Sequence, residues 1–292
     1  MIQKESRAAP TKAHRSGLFL LFLVCGISLP SLSGLLIFPF SMIPANWDWA
    51  YRVALSATFL LLSVISYRSE DYKKHWKVFF SFFVASFALN LQAISGFFNF
   101  QSTPINNIVL SMLSSTLLVI IPIIAFSRGS GDNLSMIFLT KGNLKLGLLI
   151  GSIGFIFFAL VSIPAATLLF QGQNLTAAKA GSWTLPILIT VFANGFREEM
   201  LYRALFLKKY APLLGSRSSN VLQAIIFSLS HTVAGRGVVA YTPYTFALVL
   251  FTLALGLVWG FVMQRTNGIW GSVLFHAGSD IPVFLGIFSN LP

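Results

Sequence analysis

The chain has 292 residues, of which 55% are hydrophobic and 10% charged, whereas a soluble globular protein carries about 25% charged residues. Its formal net charge is +12, but Lys and Arg fall in short connections between apolar segments, which is a membrane-topology pattern and not a nucleic-acid footprint. Composition therefore excludes a soluble globular domain and a nucleic-acid binder, and a single cysteine, Cys25, excludes an intramolecular disulfide.

A bilayer core is crossed by about 20 apolar residues of helix. In chain order the predicted spans are roughly 17–38, 50–66, 78–100, 106–126, 144–170, 184–207, 219–232, 244–264 and 268–289. The expected class is thus an all-α polytopic integral membrane protein with eight or nine transmembrane helices. The first span follows Lys4, Arg7, Lys12 and Arg15 as in a signal peptide, yet shows no persuasive small-residue cleavage site, and is read as a retained helix. Cys25 within it reads as a buried thiol. The Phe-rich run from Val78 to Phe100 reads as lipid-facing and packing surface. The seventh segment is short and is expected to stop within the membrane. The polar stretch after it, with Gly235, Gly237 and Pro243, suggests a flexible segment. Gly256, Gly260, Gly268 and Gly271 suit close helix packing.

With the N-terminus inside, fifteen Lys and Arg lie in inside segments and three, Arg52, Lys179 and Arg236, lie outside. That asymmetry predicts a cytoplasmic N-terminus in a plasma (inner) membrane. Residues 1–126 form a four-helix region free of intramembrane acids and bases. The polar connection Ser127–Asn143 is a natural boundary, and residues 144–292 hold every strong intramembrane polar cluster.

That second part contains Arg197, Glu198, Glu199, Arg203, His231, His276 and Asp280. Each charged residue at a helix centre costs about 2.5–3.5 kcal/mol on insertion scales, so these groups are expected to face one another or a wet cavity and to mark a functional site. Depth allows them to meet. At 1.5 Å per residue, Glu198 lies about 15 Å from the inside end near Lys208, His231 about 18 Å from Ser219 and His276 about 12 Å from Gly268.

Glu199 and Arg203 stand at i and i+4 and are expected to pair on one helix face. Glu198 points about 100° away, shares its face with Tyr202, and is left to act on a water molecule. Asp280 is four residues beyond His276 and is placed to orient its imidazole. Phe227 holds the same spacing to His231, under its ring. Arg197 is expected to reach lipid headgroups or a neighbouring acid. A glutamate in a low-dielectric pocket suits general-base work, and a nearby histidine can serve an oxyanion or a leaving amine. Equally, Glu198, His231 and His276 can bind Zn²⁺ or another divalent metal with an open position for water.

Three motifs carry a resemblance: "EEMLYR" as EExxxR, "FSLSH" as FxxxH and "HAGSD" as HxxxD. In that order, within spans, they resemble the CAAX prenyl protease and bacteriocin-processing (CPBP, abortive-infection) family of intramembrane peptidases, over roughly residues 144–292. The resemblance implies endoproteolysis in the membrane, with Glu198, Glu199, Arg203, His231 and His276 at the family's motif positions. The last motif more often ends in Asn, and here ends in Asp280. The family has been described both as metal-dependent and as metal-independent, so the mechanism stays open at this point. The implied partners are a membrane-associated peptide or protein substrate and the lipid bilayer. A non-catalytic scaffold or immunity-type protein on the same fold is the alternative, and an ion-coupled transporter a third, disfavoured by the absence of repeated halves.

Overall fold

The computed structural model describes residues 12–31, 47–94, 103–238 and 243–291. Among them the chain is helical throughout, with no strand. The helices are α1 (Lys12–Ser31), α2 (Asp48–Arg68), α3 (Trp76–Ile94), α4 (Pro104–Gly129), α5 (Leu144–Leu160), α6 (Ser162–Leu169), α7 (Ala177–Ser182), α8 (Thr184–Glu198), α9 (Leu207–Leu214), α10 (Ser216–Val238), α11 (Pro243–Thr266) and α12 (Trp270–Ser289). This is an all-α polytopic membrane protein.

Among the described residues, six helices are long and apolar enough to cross a bilayer: α1, α2, α3, α4, α11 and α12. A seventh span arises if α5 and α6 count together, bent by 63° between Leu160 and Ser162. The expected span over 144–170 is therefore two helices that meet at a sharp bend. The remaining two expected spans, 184–207 and 219–232, fall short for opposite reasons. The first ends as an α-helix after 15 residues and continues as a π-helical segment, Glu199–Ala204. The second is longer than expected, 23 residues, but carries Ser, Asn, Gln and His along its length. These two helices are lined with the residues of the polar cluster, and the bundle around them supplies the apolar surface they lack. Helix α10 runs through Gly235 and Gly237 to Val238, so the seventh segment is not short, and residues 239–242 of the expected flexible stretch lie outside the described residues.

Helix α12 is the hub. Of its span, 72% is buried, against at most 44% for the other spanning helices, and it packs on α5, α6, α8 and α11. Glycines permit this. A Cβ on Gly151 would stand 2.7 Å from the Gly271 carbonyl oxygen, and one on Gly271 would stand 2.6 Å from that of Gly147, so α5 and α12 touch backbone to backbone. Gly260 likewise lets α11 approach α10, since its Cβ would overlap Asn220.

Large apolar side chains face outward from the bundle, among them Leu117, Ile121, Ile153, Phe157, Leu160 and Leu168. In water such a surface would aggregate, whereas in lipid it is the solvent-matched face. Val78, Phe79, Phe82, Ala85 and Ala88 of the Phe-rich α3 are buried instead, in a core shared with Phe22, Phe206 and Tyr210. Cys25 is buried in the same core.

The connection Ser127–Asn143 is pinned to the second half of the chain. Asp132 bonds Lys77 of α3 and stands 3.4 Å from Lys209 of α9. Lys208 donates to the Ser135 carbonyl at 2.6 Å. Trp270 Nε1 donates to the Thr140 carbonyl at 3.0 Å, and Ile269 N to that of Phe138 at 3.1 Å.

Candidate active site

Glu198 is the last residue of α8, and the helix widens immediately after it. Over Glu199–Ala204 the turns are π-helical, with the Leu205 amide donating to the Met200 carbonyl, five residues back. Single π turns inside α-helices occur frequently at functional sites. Here the widened turn presents Glu199 and Arg203 to the interior, both fully buried, with Arg203 Nη1 2.5 Å from Glu199 Oε1. The expected pair is present. Glu199 has a second partner, however: the same Oε1 lies 2.8 Å from His276 Nδ1.

Asp280 was expected to hold that imidazole. It stands at the other ring nitrogen, its Oδ1 3.7 Å from Nε2, too far for a hydrogen bond. The carboxylate that fixes the ring is Glu199, and Asp280 instead accepts from Asn194 Nδ2 at 2.8 Å. The reason is topological: α8 crosses α12 closely at Gly195, where an added Cβ would lie 3.2 Å from the Ala277 amide. This brings Glu199 nearer to the ring than a residue of the ring's own helix.

Glu198, His231 and His276 do meet, from three separate elements. Glu198 Oε2 is 3.5 Å from His276 Nε2 and 3.9 Å from His231 Nε2. His231 Nδ1 lies 2.9 Å from the Phe227 carbonyl oxygen. A carbonyl only accepts, so Nδ1 carries the hydrogen and Nε2 of neutral His231 presents a lone pair. The Glu199 carboxylate imposes the same tautomer on His276. Two imidazole lone pairs and one carboxylate oxygen thus converge.

Arg197 does not reach the lipid. Its guanidinium bonds Ser115 Oγ of α4 at 2.8 Å, Asn194 Oδ1, and Glu198 Oε1 at 3.2 Å. Glu198 is therefore held by one oxygen, and its other oxygen has no hydrogen-bond partner among the described protein groups.

Aromatic rings form the floor. Phe227 lies 4.3 Å from His231 between ring centroids, as its spacing suggested, and also 4.2 Å from the Arg203 guanidinium. Tyr202 packs edge-on against Phe227 at 5.3 Å. Trp259 stacks on His276 at 3.9 Å, nearly parallel at 9°, and sits 5.0 Å from Arg203. Trp259, Asn194 and Ser115 were not anticipated. Trp259 belongs to no motif, and Asn194 and Ser115 are uncharged. The one sequence signal for Asn194 is its place a helical turn before Glu198, on the same face. A cavity of about 250 Å³ adjoins the cluster. Its polar end holds Asn194, Arg197, Glu198, His231, His276 and Asp280, and its walls are apolar, with Phe158, Phe170, Phe251 and Phe284 among them.

Among the described residues no group of three or more His, Cys, Asp or Glu side chains is arranged so as to hold a metal ion. No step below is routed through a metal ion.

Residues 180–281 match the family model described as type II CAAX prenyl endopeptidase Rce1-like. Over this stretch the chain is similar to that family. The stretch begins in α7, ends in α12 and includes Glu198, Glu199, Arg203, His231, His276 and Asp280, a shorter extent than the 144–292 expected from the motifs. No curated protein and no solved structure matches the chain. Outside the matched stretch, α4 supplies Ser115, and α5 with α6 supplies part of the cavity wall.

Proposed function

We propose that this protein is an intramembrane endopeptidase of the CAAX-protease type, hydrolysing a peptide bond of a membrane-associated peptide or protein. The observation that carries the reading is the convergence of Glu198 Oε2 with the Nε2 atoms of His231 and His276. With His276 Nε2 protonated from solvent, a water molecule can donate to Glu198 Oε2 and His231 Nε2 and accept from His276. A water so held lies beside a general base.

The water oxygen attacks the scissile carbonyl carbon, and Glu198 takes its proton. The C–O bond formed and the carbonyl π pair displaced give a tetrahedral oxyanion. The Nε2–H of the His276 imidazolium donates to that oxygen. His276 is suited to carry the extra proton, having carboxylate oxygens at both ring nitrogens. Collapse breaks the C–N bond, and Glu198 returns its proton to the leaving amine. Arg203 and Glu199 hold the frame, Phe227 and Trp259 keep one side of the rings dry, and Asp280 closes the polar end. The apolar cavity walls suit an apolar segment next to the bond cut.

The excess of Lys and Arg in inside segments supports a cytoplasmic N-terminus, with the site reached from that side or from the bilayer. Nucleic acid has no part in the reading. The test is purified full-length protein in detergent against a panel of quenched membrane-proximal peptides, prenylated and not. Wild-type cleavage that disappears in Glu198→Gln and His231→Ala supports the assignment. Retained cleavage in both variants ends it.

A further inference from the structure

We infer that Arg197 is a positioning residue, which sets the two carboxylates flanking His276 Nε2 and is itself anchored by a helix outside the matched stretch. The inference rests on the hydrolytic reading above. Arg197 donates to Glu198 Oε1 at 3.2 Å and also to the side-chain oxygen of Asn194. The amide nitrogen of the same Asn194 donates to Asp280 Oδ2 at 2.8 Å. One guanidinium thus fixes Glu198 directly and Asp280 through one intermediate. The free oxygens of these acids stand 3.5 Å and 3.7 Å from His276 Nε2.

The anchor lies elsewhere in the chain. Ser115 of α4 is 4% exposed and accepts from Arg197 Nη1 at 2.8 Å. One residue on, Thr116 donates to the Ala193 carbonyl of α8 at 3.1 Å, so the two helices are tied at this level. Helix α4 carries no acid or base within the membrane and stands outside the matched stretch. It nevertheless supplies the acceptor that orients the guanidinium. A planar fork reaches three acceptors on two helices, α4 and α8, at once, which a lysine ammonium does with poorer geometry.

A group that positions the base without touching substrate changes turnover and leaves binding alone. With any panel peptide that the wild type cleaves, Arg197→Gln is expected to lower kcat about 30-fold with KM within about twofold. Arg197→Lys is expected to recover part of the loss. Ser115→Ala is expected to lower kcat about threefold. In the Arg197→Gln background Ser115→Ala adds nothing, because the hydroxyl acts through the guanidinium.

Wild-type kcat in Arg197→Gln, with Glu198→Gln inactive, overturns the inference and leaves the hydrolytic reading standing. A raised KM at unchanged kcat overturns it as well, since Arg197 then binds substrate. A parallel fall in thermal midpoint and kcat in every variant, Lys included, makes the residue merely structural and overturns it too. If Glu198→Gln is fully active, or the wild type cleaves no peptide of the panel, the hydrolytic reading fails and the inference falls with it.

Discussion

Glu198 and Glu199 are neighbours in the chain, yet their carboxylates have different partners and substituting them should have different consequences. Glu199 is fully buried between Arg203 and His276. Removing its charge in Glu199→Gln leaves the Arg203 guanidinium buried without a counter-charge, a change that costs about 3–5 kcal/mol. It also frees the His276 ring. The expected outcome is a lowered thermal midpoint together with lost cleavage. Glu198 has one oxygen on Arg197 and the other turned to the histidines. Glu198→Gln is isosteric, leaves Arg197 an amide oxygen as acceptor in a less buried pair than that of Glu199 and removes the base, so cleavage should fall by about 100-fold or more while the midpoint stays within a few degrees. Differential scanning fluorimetry beside the peptide assay separates the two. A third residue extends the test to the ring faces. Trp259→Leu removes the stacked surface from His276 and one of the two rings beside Arg203. It should lower kcat about tenfold through misplacement of the imidazole, with KM unchanged.

At the scale of elements, the sequence disclosed the helices but not how two of them deviate from straight α-helix. Hydrophobic runs marked α4, α11 and α12, because lipid-facing and buried helices are alike apolar. Counted at the 1.5 Å rise from the inside helix ends, Glu198, His231 and His276 come to a similar depth, and the structure brings them together. The π turn at Glu199–Ala204 left no mark on the sequence, because it inserts one residue per turn without altering composition. Nor was the exchange of roles between Glu199 and Asp280 legible, since it depends on where α8 crosses α12. The place of α12 depends in turn on small residues. Gly147, Gly151 and Gly271 allow backbone contact between α5 and α12. Gly151→Leu places a branched side chain where a Cβ alone already meets backbone at 2.7 Å. Overpacking of this kind costs about 1–3 kcal/mol or more, and moving α12 moves His276 with it. The expected result is a lower thermal midpoint and a loss of cleavage that no conservative change at Glu198 mimics. Normal cleavage in Gly151→Leu would show that the α5–α12 contact does not set the site.

For the whole molecule, the two halves of the chain are joined by charge as well as by packing. Asp132 lies in the connection between them and is 5% exposed. It bonds Lys77 from the first half and stands 3.4 Å from Lys209 in the second. Helix α9, which carries Lys209, is not among the spanning helices. Burial pushes the Lys209 ammonium down from 10.5 to about 8, and Asp132 offsets only part of that shift. The native state therefore binds fewer protons than the unfolded state between about pH 8 and pH 10.5. Stability from this group must rise with pH across that window. Below about pH 8 the ammonium is charged in both states and the full burial penalty is present, on the order of 3 kcal/mol at 1.36 kcal/mol per pH unit. Lys209→Met removes the penalty and leaves Asp132 paired with Lys77. The variant should be as stable as the wild type or more so at pH 7, by about 1–3 kcal/mol. Its stability gain on going from pH 7 to pH 9.5 should be smaller than that of the wild type. Asp132→Asn, which strips both lysines of their partner, should lose about 3 kcal/mol at pH 7, and that loss should shrink as Lys209 deprotonates. Thermal unfolding of the three proteins in one detergent at the two pH values decides it. Parallel pH profiles for wild type and Lys209→Met would show that this buried lysine does not carry the coupling between the halves.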